Sequence, residues 1–390
     1  MDRRRDLRRT ILQLGLGLTS VVAALLVAEM LVRGIAPQRI RTPFAIDDPR
    51  LLYRNEPLIH GRHTSPGEFD YRFSINSKGC RGRETTWKKL ALTKRVVCVG
   101  DSFTWGTGVE YDQCYPAQLE QLLNAEAVAG NEPHYEVINT GVMSWGISQY
   151  YLCARGEALR YEPDVVVVSM FQDDWENALL GLITEDNAGH LIEHEVTFPQ
   201  LRKQRLMLSW IPFFRQIMSH SELANLIQDA LRARVTWPPA TGSFLKPDST
   251  HRMRKAKAPS EAPAQRAIRL TQKMILELDR SCRRAGCLLL VLWIPDRISV
   301  ESALHPALVE RPSSEQQVVY SKVGHTLQGF CEEHEVLFVD ATTTFVRLCD
   351  EQHRDPVSFY FKRDGHFRAE GYRELAQLLV PYVKPSATQE

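Results

Sequence analysis

Neither charge is in excess in this chain: 48 Lys plus Arg stand against 47 Asp plus Glu, for a formal net charge of +1. A balanced total provides no global field to recruit a polyanion, so no nucleic acid is expected as a partner. Long apolar runs are equally scarce. The only stretch of membrane-spanning length lies near the amino terminus, so Pro37 to Glu390 reads as one soluble body on a single anchor. The eight cysteines include no Cys-x-x-Cys and no zinc-like pairing with histidine. No metal or organic cofactor is expected. Of the twelve histidines, only His366 has a partner at useful spacing.

What is present begins with five arginines, Arg3, Arg4, Arg5, Arg8 and Arg9, ahead of an uncharged stretch from Thr10 to Ala28 that resumes after Glu29 as Met30, Leu31 and Val32. About 20 apolar residues span a bilayer as a helix, and basic residues stay on the cytoplasmic side. This predicts a cytoplasmic tail over 1–9, a transmembrane anchor over 10–33 and an extracytoplasmic body, periplasmic if the source is a Gram-negative bacterium. The alternative is a cleaved signal peptide. Its apolar core usually runs roughly 7 to 15 residues to a small-x-small site; here the stretch is longer, and Gly34-Ile35-Ala36 is followed by Pro37. The uncleaved anchor is the favoured reading. In an oxidising compartment Cys80, Cys114, Cys153, Cys282, Cys287, Cys331 and Cys349 leave room for one or two disulfides, while Cys98 reads as a buried strand thiol.

Beyond an irregular or short-strand lead-in over 37–94, apolar runs alternate with amphipathic stretches. Strands are expected at Arg95–Val99, Tyr135–Asn139, Val165–Val168, Cys287–Trp293 and Val336–Asp340. Helices are expected at Tyr115–Ala127, Gln149–Arg160, Ala264–Ala285, Ser314–His334 and Ala369–Val383. Such alternation predicts an α/β domain over 95–384 with a parallel sheet and helices on both faces. Residues from about 180 to 263 interrupt it with Trp210 to Phe214, a helix over Ser221–Arg234 and a linker from Pro238 to Ala264. Three roles are open to the apolar residues Trp210 to Phe214: covering a pocket, touching the membrane surface, or packing on the body.

The string Val96-Val97-Cys98-Val99-Gly100-Asp101-Ser102 places a serine where a buried strand meets a polar turn. Ligand chemistry in open α/β sheets collects at such strand ends. A serine hydroxyl needs a base and a group to orient that base. Asp364-Gly365-His366 supplies both: if the segment is extended, the two side chains leave the same face. Taken singly, each signal also fits an ordinary turn before a helix. Jointly, at opposite ends of the alternating pattern, they point to Ser102 as nucleophile, His366 as base and Asp364 as its orienting acid.

These residues resemble the SGNH, or GDSL-type, hydrolase superfamily. Gly100-Asp101-Ser102-Phe103 stands for its nucleophile block, Val137 to Gly146 is similar to its second block, Val165 to Asn177 occupies the place of its third, and Asp364-Gly365-His366 stands for its acid and base block. Ile75 to Gly82 looks like a lead-in common in a membrane-anchored branch similar to polysaccharide O-acetyltransferases and esterases. The resemblance covers most of Asn76 to Leu379. It implies a flavodoxin-like three-layer sandwich with a central parallel sheet, preceded by one transmembrane helix, and an oxyanion hole drawn from Ser102, Gly141, Ser144 and the position of Asp173. Where the family often has Asn, this chain has Asp173; an ionised carboxylate accepts hydrogen bonds and repels an oxyanion. Either Asp173 is protonated, or Gln172 or Asn177 donates instead, or the site is slow.

The expected function is therefore an extracytoplasmic serine-dependent ester hydrolase or O-acyltransferase, acting on an acylated small molecule or on acetyl groups of a surface glycan. The competing class is an inactive fold that binds glycan or scaffolds a membrane assembly. A phospholipase is a third possibility. Sequence leaves protein partners unspecified.

Overall fold

The computed structural model describes residues 2–42, 44–125, 133–195, 214–234, 262–304 and 314–384. Glu126, Ala127, Trp210 to Phe213 and the linker expected from Pro238 lie outside them, the linker except for its last three residues. Helix α1 (Asp2–Ile35) comes first, then four short strands of the lead-in, β1 (Ala45–Asp48), β2 (Leu52–Asn55), β3 (His60–Ser65) and β4 (Phe69–Ser74), of which β1 and β2 pair antiparallel. β5 (Thr93–Gly100) passes through α2 (Ser102–Trp105) and α3 (Tyr115–Ala125) to β6 (His134–Asn139), and α4 (Ile147–Gly156) leads to β7 (Val165–Phe171). The described part of the insertion holds an antiparallel pair, β8 (Ile183–Glu185) and β9 (Leu191–Glu193), and helices α5 (Phe214–His220) and α6 (Glu222–Arg234). Alternation resumes through α7 (Pro263–Ala285), β10 (Leu288–Ile294), α8 (Arg297–Leu304), α9 (Ser314–Glu333), β11 (Leu337–Asp340), α10 (Ala341–Glu351) and α11 (Ala369–Val383).

β5, β6, β7, β10 and β11 form one parallel sheet in the spatial order β11-β10-β7-β5-β6. Counted within that sheet, the order is 2-1-3-4-5, the flavodoxin-like arrangement, whose topological switch point falls between β5 and β7. Both faces are covered. Val97, Val99, Val166 and Val168 pack with α4 and α7 in one apolar layer, while Val96, Cys98, Val165 and Val167 pack with α3, α10 and α11 in the other. Burial on both faces is why these strands read as continuous β-branched runs instead of alternating ones.

Several boundaries differ from the sequence reading. α4 starts at Ile147 and stops at Gly156, and Ala158–Tyr161 is a separate 3₁₀ turn, so Gln149–Arg160 is not one helix. No disulfide forms: all eight cysteines are free and buried, dispersed through the apolar layers. Burial pushes the thiols of Cys80 and Cys98 up to about 12, where the thiolate needed for oxidation is scarce.

The chain divides into two compact units. One holds the sheet and comprises residues 44–60, 71–200 and 238–390; the other comprises residues 1–43, 61–70 and 201–237. The lead-in and the insertion are therefore not single blocks, since a part of each groups with the amino-terminal helix. In that smaller unit Glu29 caps α6. Its carboxylate accepts the N–H groups of Glu222 and Leu223 at 2.8 and 2.9 Å and the Ser221 hydroxyl at 2.8 Å, while Arg33 Nε donates to it at 2.7 Å. Three donors at the start of a helix thus find an acceptor on α1.

Candidate active site

The turn after β5 is built by close contact. A Cβ on Gly100 would lie 2.1 Å from Thr104 Oγ1, and one on Gly141 would lie 2.4 Å from the Trp105 nitrogen, so the loop after β6 presses against the backbone of α2. Asp101 caps α2, its Oδ1 accepting the Phe103 N–H at 2.8 Å. Arg81, fully buried, donates to the carbonyls of Trp105, Gly106 and Val109, each at 2.7 Å. Asn139 Nδ2 holds the Thr104 carbonyl at 2.7 Å. These bonds fix the one-turn helix that starts at Ser102.

His366 Nε2 lies 2.7 Å from Ser102 Oγ, across 264 residues of chain, and His366 Nδ1 lies 2.5 Å from Asp364 Oδ1. The Ser102 hydroxyl has a second acceptor, Asp101 Oδ2 at 3.2 Å; the shorter contact directs its proton to the imidazole. With a proton on Nδ1 held by Asp364, Nε2 is the basic nitrogen, the tautomer a general base requires. Phe103 supports the imidazole at 4.9 Å between ring centroids and stacks on Phe171. The Asp364–His366 segment is a turn, not extended: Gly365 has φ +86°, its N–H donates to the Phe361 carbonyl, and the His366 carbonyl accepts the Phe361 N–H. A left-handed glycine between the two side chains brings them together where an extended segment would not.

The four oxyanion candidates do not stand alike. Ser102 opens α2, and a helix's first N–H has no intrahelical partner. Ser144 has φ +62°, its N–H makes no hydrogen bond among the described residues, and its carbonyl accepts the Tyr53 hydroxyl at 2.7 Å. The Gly141 N–H is already engaged, donating to Asn139 Oδ1 at 3.0 Å, and its carbonyl accepts from Asn55. The glycine there serves close approach to Trp105. Asp173 is exposed, yet partial desolvation, followed by the charges of Asp101, Glu176 and Asp296, pushes its carboxyl up to about 6.

Two neighbouring carboxyls share this behaviour. Burial, opposed by the Phe103 N–H and by His366, raises Asp101. Burial, followed by Asp101 and Asp173, raises Asp174 well above the usual carboxylate range, although its Oδ2 accepts the Tyr150 hydroxyl at 2.7 Å and the Phe171 N–H at 2.6 Å. Gln172 Oε1 accepts the Ser299 hydroxyl, and Asn177 Oδ1 is buried without a hydrogen-bond partner among the described residues. Sequence reading missed the clamps: Arg81, Asn139 and Tyr53. Their signal was weak, because each acts through a backbone carbonyl.

No protein-family model matches this sequence, and no curated protein matches it. Among solved structures, the chain is similar to a catalytic mutant of an acetylxylan esterase from Geobacillus stearothermophilus, at 12% identity over 75% of this chain and 94% of that one, with a TM-score of 0.39. It is also similar to a lipase/acylhydrolase from Enterococcus faecalis, at 14% identity over 74% and 95%, with a TM-score of 0.39. An α/β hydrolase enzyme from the metagenome of Lake Arreo matches at 15% identity over 74% and 94%, with a TM-score of 0.40. At this degree of likeness, the roles of the residues rest on the site's own geometry.

Proposed function

We propose that the protein is a serine-dependent enzyme acting on acyl esters, anchored in a membrane by α1 with its sheet-bearing unit outside the cytoplasm. The observation that carries this reading is the relay from Ser102 through His366 to Asp364, at 2.7 and 2.5 Å. His366 Nε2 takes the hydroxyl proton as Ser102 Oγ attacks the acyl carbonyl carbon. The N–H groups of Ser102 and Ser144 stabilise the oxyanion, and the protonated imidazole then gives its proton to the departing alcohol. Asp364 holds the imidazole throughout. Water resolves the acyl-enzyme in a hydrolase, and a sugar hydroxyl does so in an O-acyltransferase; acetyl groups of a surface polysaccharide suit either outcome. Among the described residues α1 is long and apolar enough to cross a membrane, and its apolar side chains are exposed, which supports the anchor.

The test is labelling of the full chain in detergent micelles with a fluorophosphonate probe. Labelling of the wild type that vanishes in Ser102→Ala and in His366→Ala is the expected result; a folded wild type that never labels would sink the assignment. Acetate release from acetylated oligosaccharides, measured against transfer to an acceptor oligosaccharide, then separates hydrolase from transferase. A second reading, a glycan-binding or scaffold protein with a disabled oxyanion hole, is favoured by one observation, the carboxyl of Asp173 where an amide donor would serve. It predicts glycan affinity without an acyl-enzyme.

A further inference from the structure

At the amino-terminal edge of the sheet, opposite the strand end that carries Ser102, lies a cavity of about 360 Å³ lined by Arg54, Ser77, Lys78, Trp87, Glu157 and Arg160. Its place in the fold is set by Trp87, whose carbonyl accepts Arg95 Nη1 at the start of β5, and by the 3₁₀ turn bearing Arg160, which leads into β7. Three cations and one carboxylate line it, so the cavity holds a local positive excess in a chain whose total is nearly neutral.

Each cation is held in place by protein contacts. Arg54 Nη1 pairs with Glu157 at 3.0 Å. The Arg160 guanidinium lies 4.1 Å from the centre of the Trp87 ring, whose other neighbour is Tyr161, stacked at 4.3 Å; Lys78 Nζ lies 6.0 Å from the Trp87 ring. Among the described residues no carboxylate lies within ion-pair distance of Arg160, and Lys78 reaches one only at 3.9 Å, on Glu84. Trp87 thus orients an arginine by its π face, and among the described residues the guanidinium N–H groups make no hydrogen bond.

We propose that this cavity binds an acidic saccharide unit, a sugar-sized polyol carrying a carboxylate or phosphate group. The arginines and Lys78 present donors to the oxyanion. Glu157 supplies acceptor oxygens for sugar hydroxyls, while the Ser77 hydroxyl, which donates to Glu84 at 2.7 Å, accepts from Lys78 Nζ at 3.3 Å and steadies that cation; a bare anion has no use for Glu157, which repels it. The volume falls in the range of small-ligand sites, roughly 300 to 1,000 Å³, and exceeds what a lone oxyanion fills. The proposal does not depend on ester chemistry, since none of the lining residues touches Ser102 or His366.

Calorimetric titration of the full chain in detergent tests it, with four probes: a hexuronate oligosaccharide, a hexose phosphate, a neutral oligosaccharide and inorganic phosphate. Binding of the uronate or the hexose phosphate that weakens with added salt, and weakens at least tenfold in Arg160→Ala and Lys78→Ala, is expected; the tighter of the two identifies the anionic group. Fluorophosphonate labelling should be unchanged in both variants, and Ser102→Ala should keep the affinity. Equal binding of the neutral oligosaccharide, equal binding of inorganic phosphate, or indifference to Arg160→Ala would overturn it.

Discussion

The two edges of the central sheet handle charge in opposite ways. At the carboxyl ends, strands β5, β7 and β10 are each followed within three residues by aspartate, Asp101, Asp173 with Asp174, and Asp296, and β11 ends on one, Asp340. Asp101, Asp296 and Asp340 accept backbone N–H groups at the start of the next helix. At the amino ends, the carboxylates of Glu136 and Asp164 pair instead with Arg95, Lys89 and Lys94. Burial alone would raise Asp164, but Lys89, the Arg95 N–H and Lys94 outweigh it and hold the carboxyl low. No such cation pairs with Asp101, Asp173 or Asp174 among the described residues, and all three are raised. The difference is one of function as much as stability: burial and mutual repulsion favour the neutral form of the carboxyls at the site-bearing edge, whereas cations at the other edge favour the charged form of Asp164.

The sharpest way to break this comparison is to discharge Asp364. Under the proposed relay, Asp364→Asn should lower ester turnover by on the order of 10⁴-fold, because the imidazole loses the group that fixes its tautomer; a loss below tenfold would remove Asp364 from the relay. At the other edge, Arg95 is wholly buried, donating to Glu136 at 2.6 and 2.9 Å and to the carbonyls of Tyr161 and Trp87. Arg95→Ala should destabilise the fold by roughly 3–5 kcal/mol in urea unfolding, since Glu136 would be left without its counter-charge. Tyr150→Phe strips one donor from buried Asp174 and should cost about 1–3 kcal/mol by the same measurement.

Asp173→Asn sharpens the comparison through pH. A carboxyl raised from 3.8 to about 6 binds protons on folding, so the stability it contributes is full below 3.8 and is lost as pH rises through about 6. The melting temperature of Asp173→Asn relative to wild type should therefore climb from pH 4 to pH 7, and a flat difference would remove Asp173 from the raised set. If its charge also opposes the oxyanion, wild-type turnover declines across the same window and the variant's does not. The smallest effect is expected far from both edges: Arg347→Ala removes an exposed i,i+4 pair with Glu351 and should change stability by less than about 0.5 kcal/mol.

How much of this was legible depended on the kind of signal. The positions of the five strands followed from buried apolar runs such as Val165–Val168, their flavodoxin-like layout only from the family resemblance, and Ser102 from its place after one of the runs. The meeting of Asp364 and His366 was anticipated for the wrong backbone: Gly365 turns the chain, and no period-2 pattern reveals a left-handed glycine. Gly141 stood among the oxyanion candidates because motif position says nothing of where an N–H points; its amide faces Asn139. Room for one or two disulfides was read from the compartment, yet each cysteine had been placed by the apolar layers. The grouping of residues 61–70 and 201–237 with the first helix leaves no local trace, because it depends on long-range partners such as Glu29.

That carboxylate bears on how the chain is matured and handled. A cut anywhere between Glu29 and Ser221 that released the first helix would leave the donors of Ser221, Glu222 and Leu223 to water, so a truncated soluble form would begin life with a frayed α6. Purification that retains the amino-terminal segment keeps the cap intact, and limited proteolysis within α6 would report whether it has been lost.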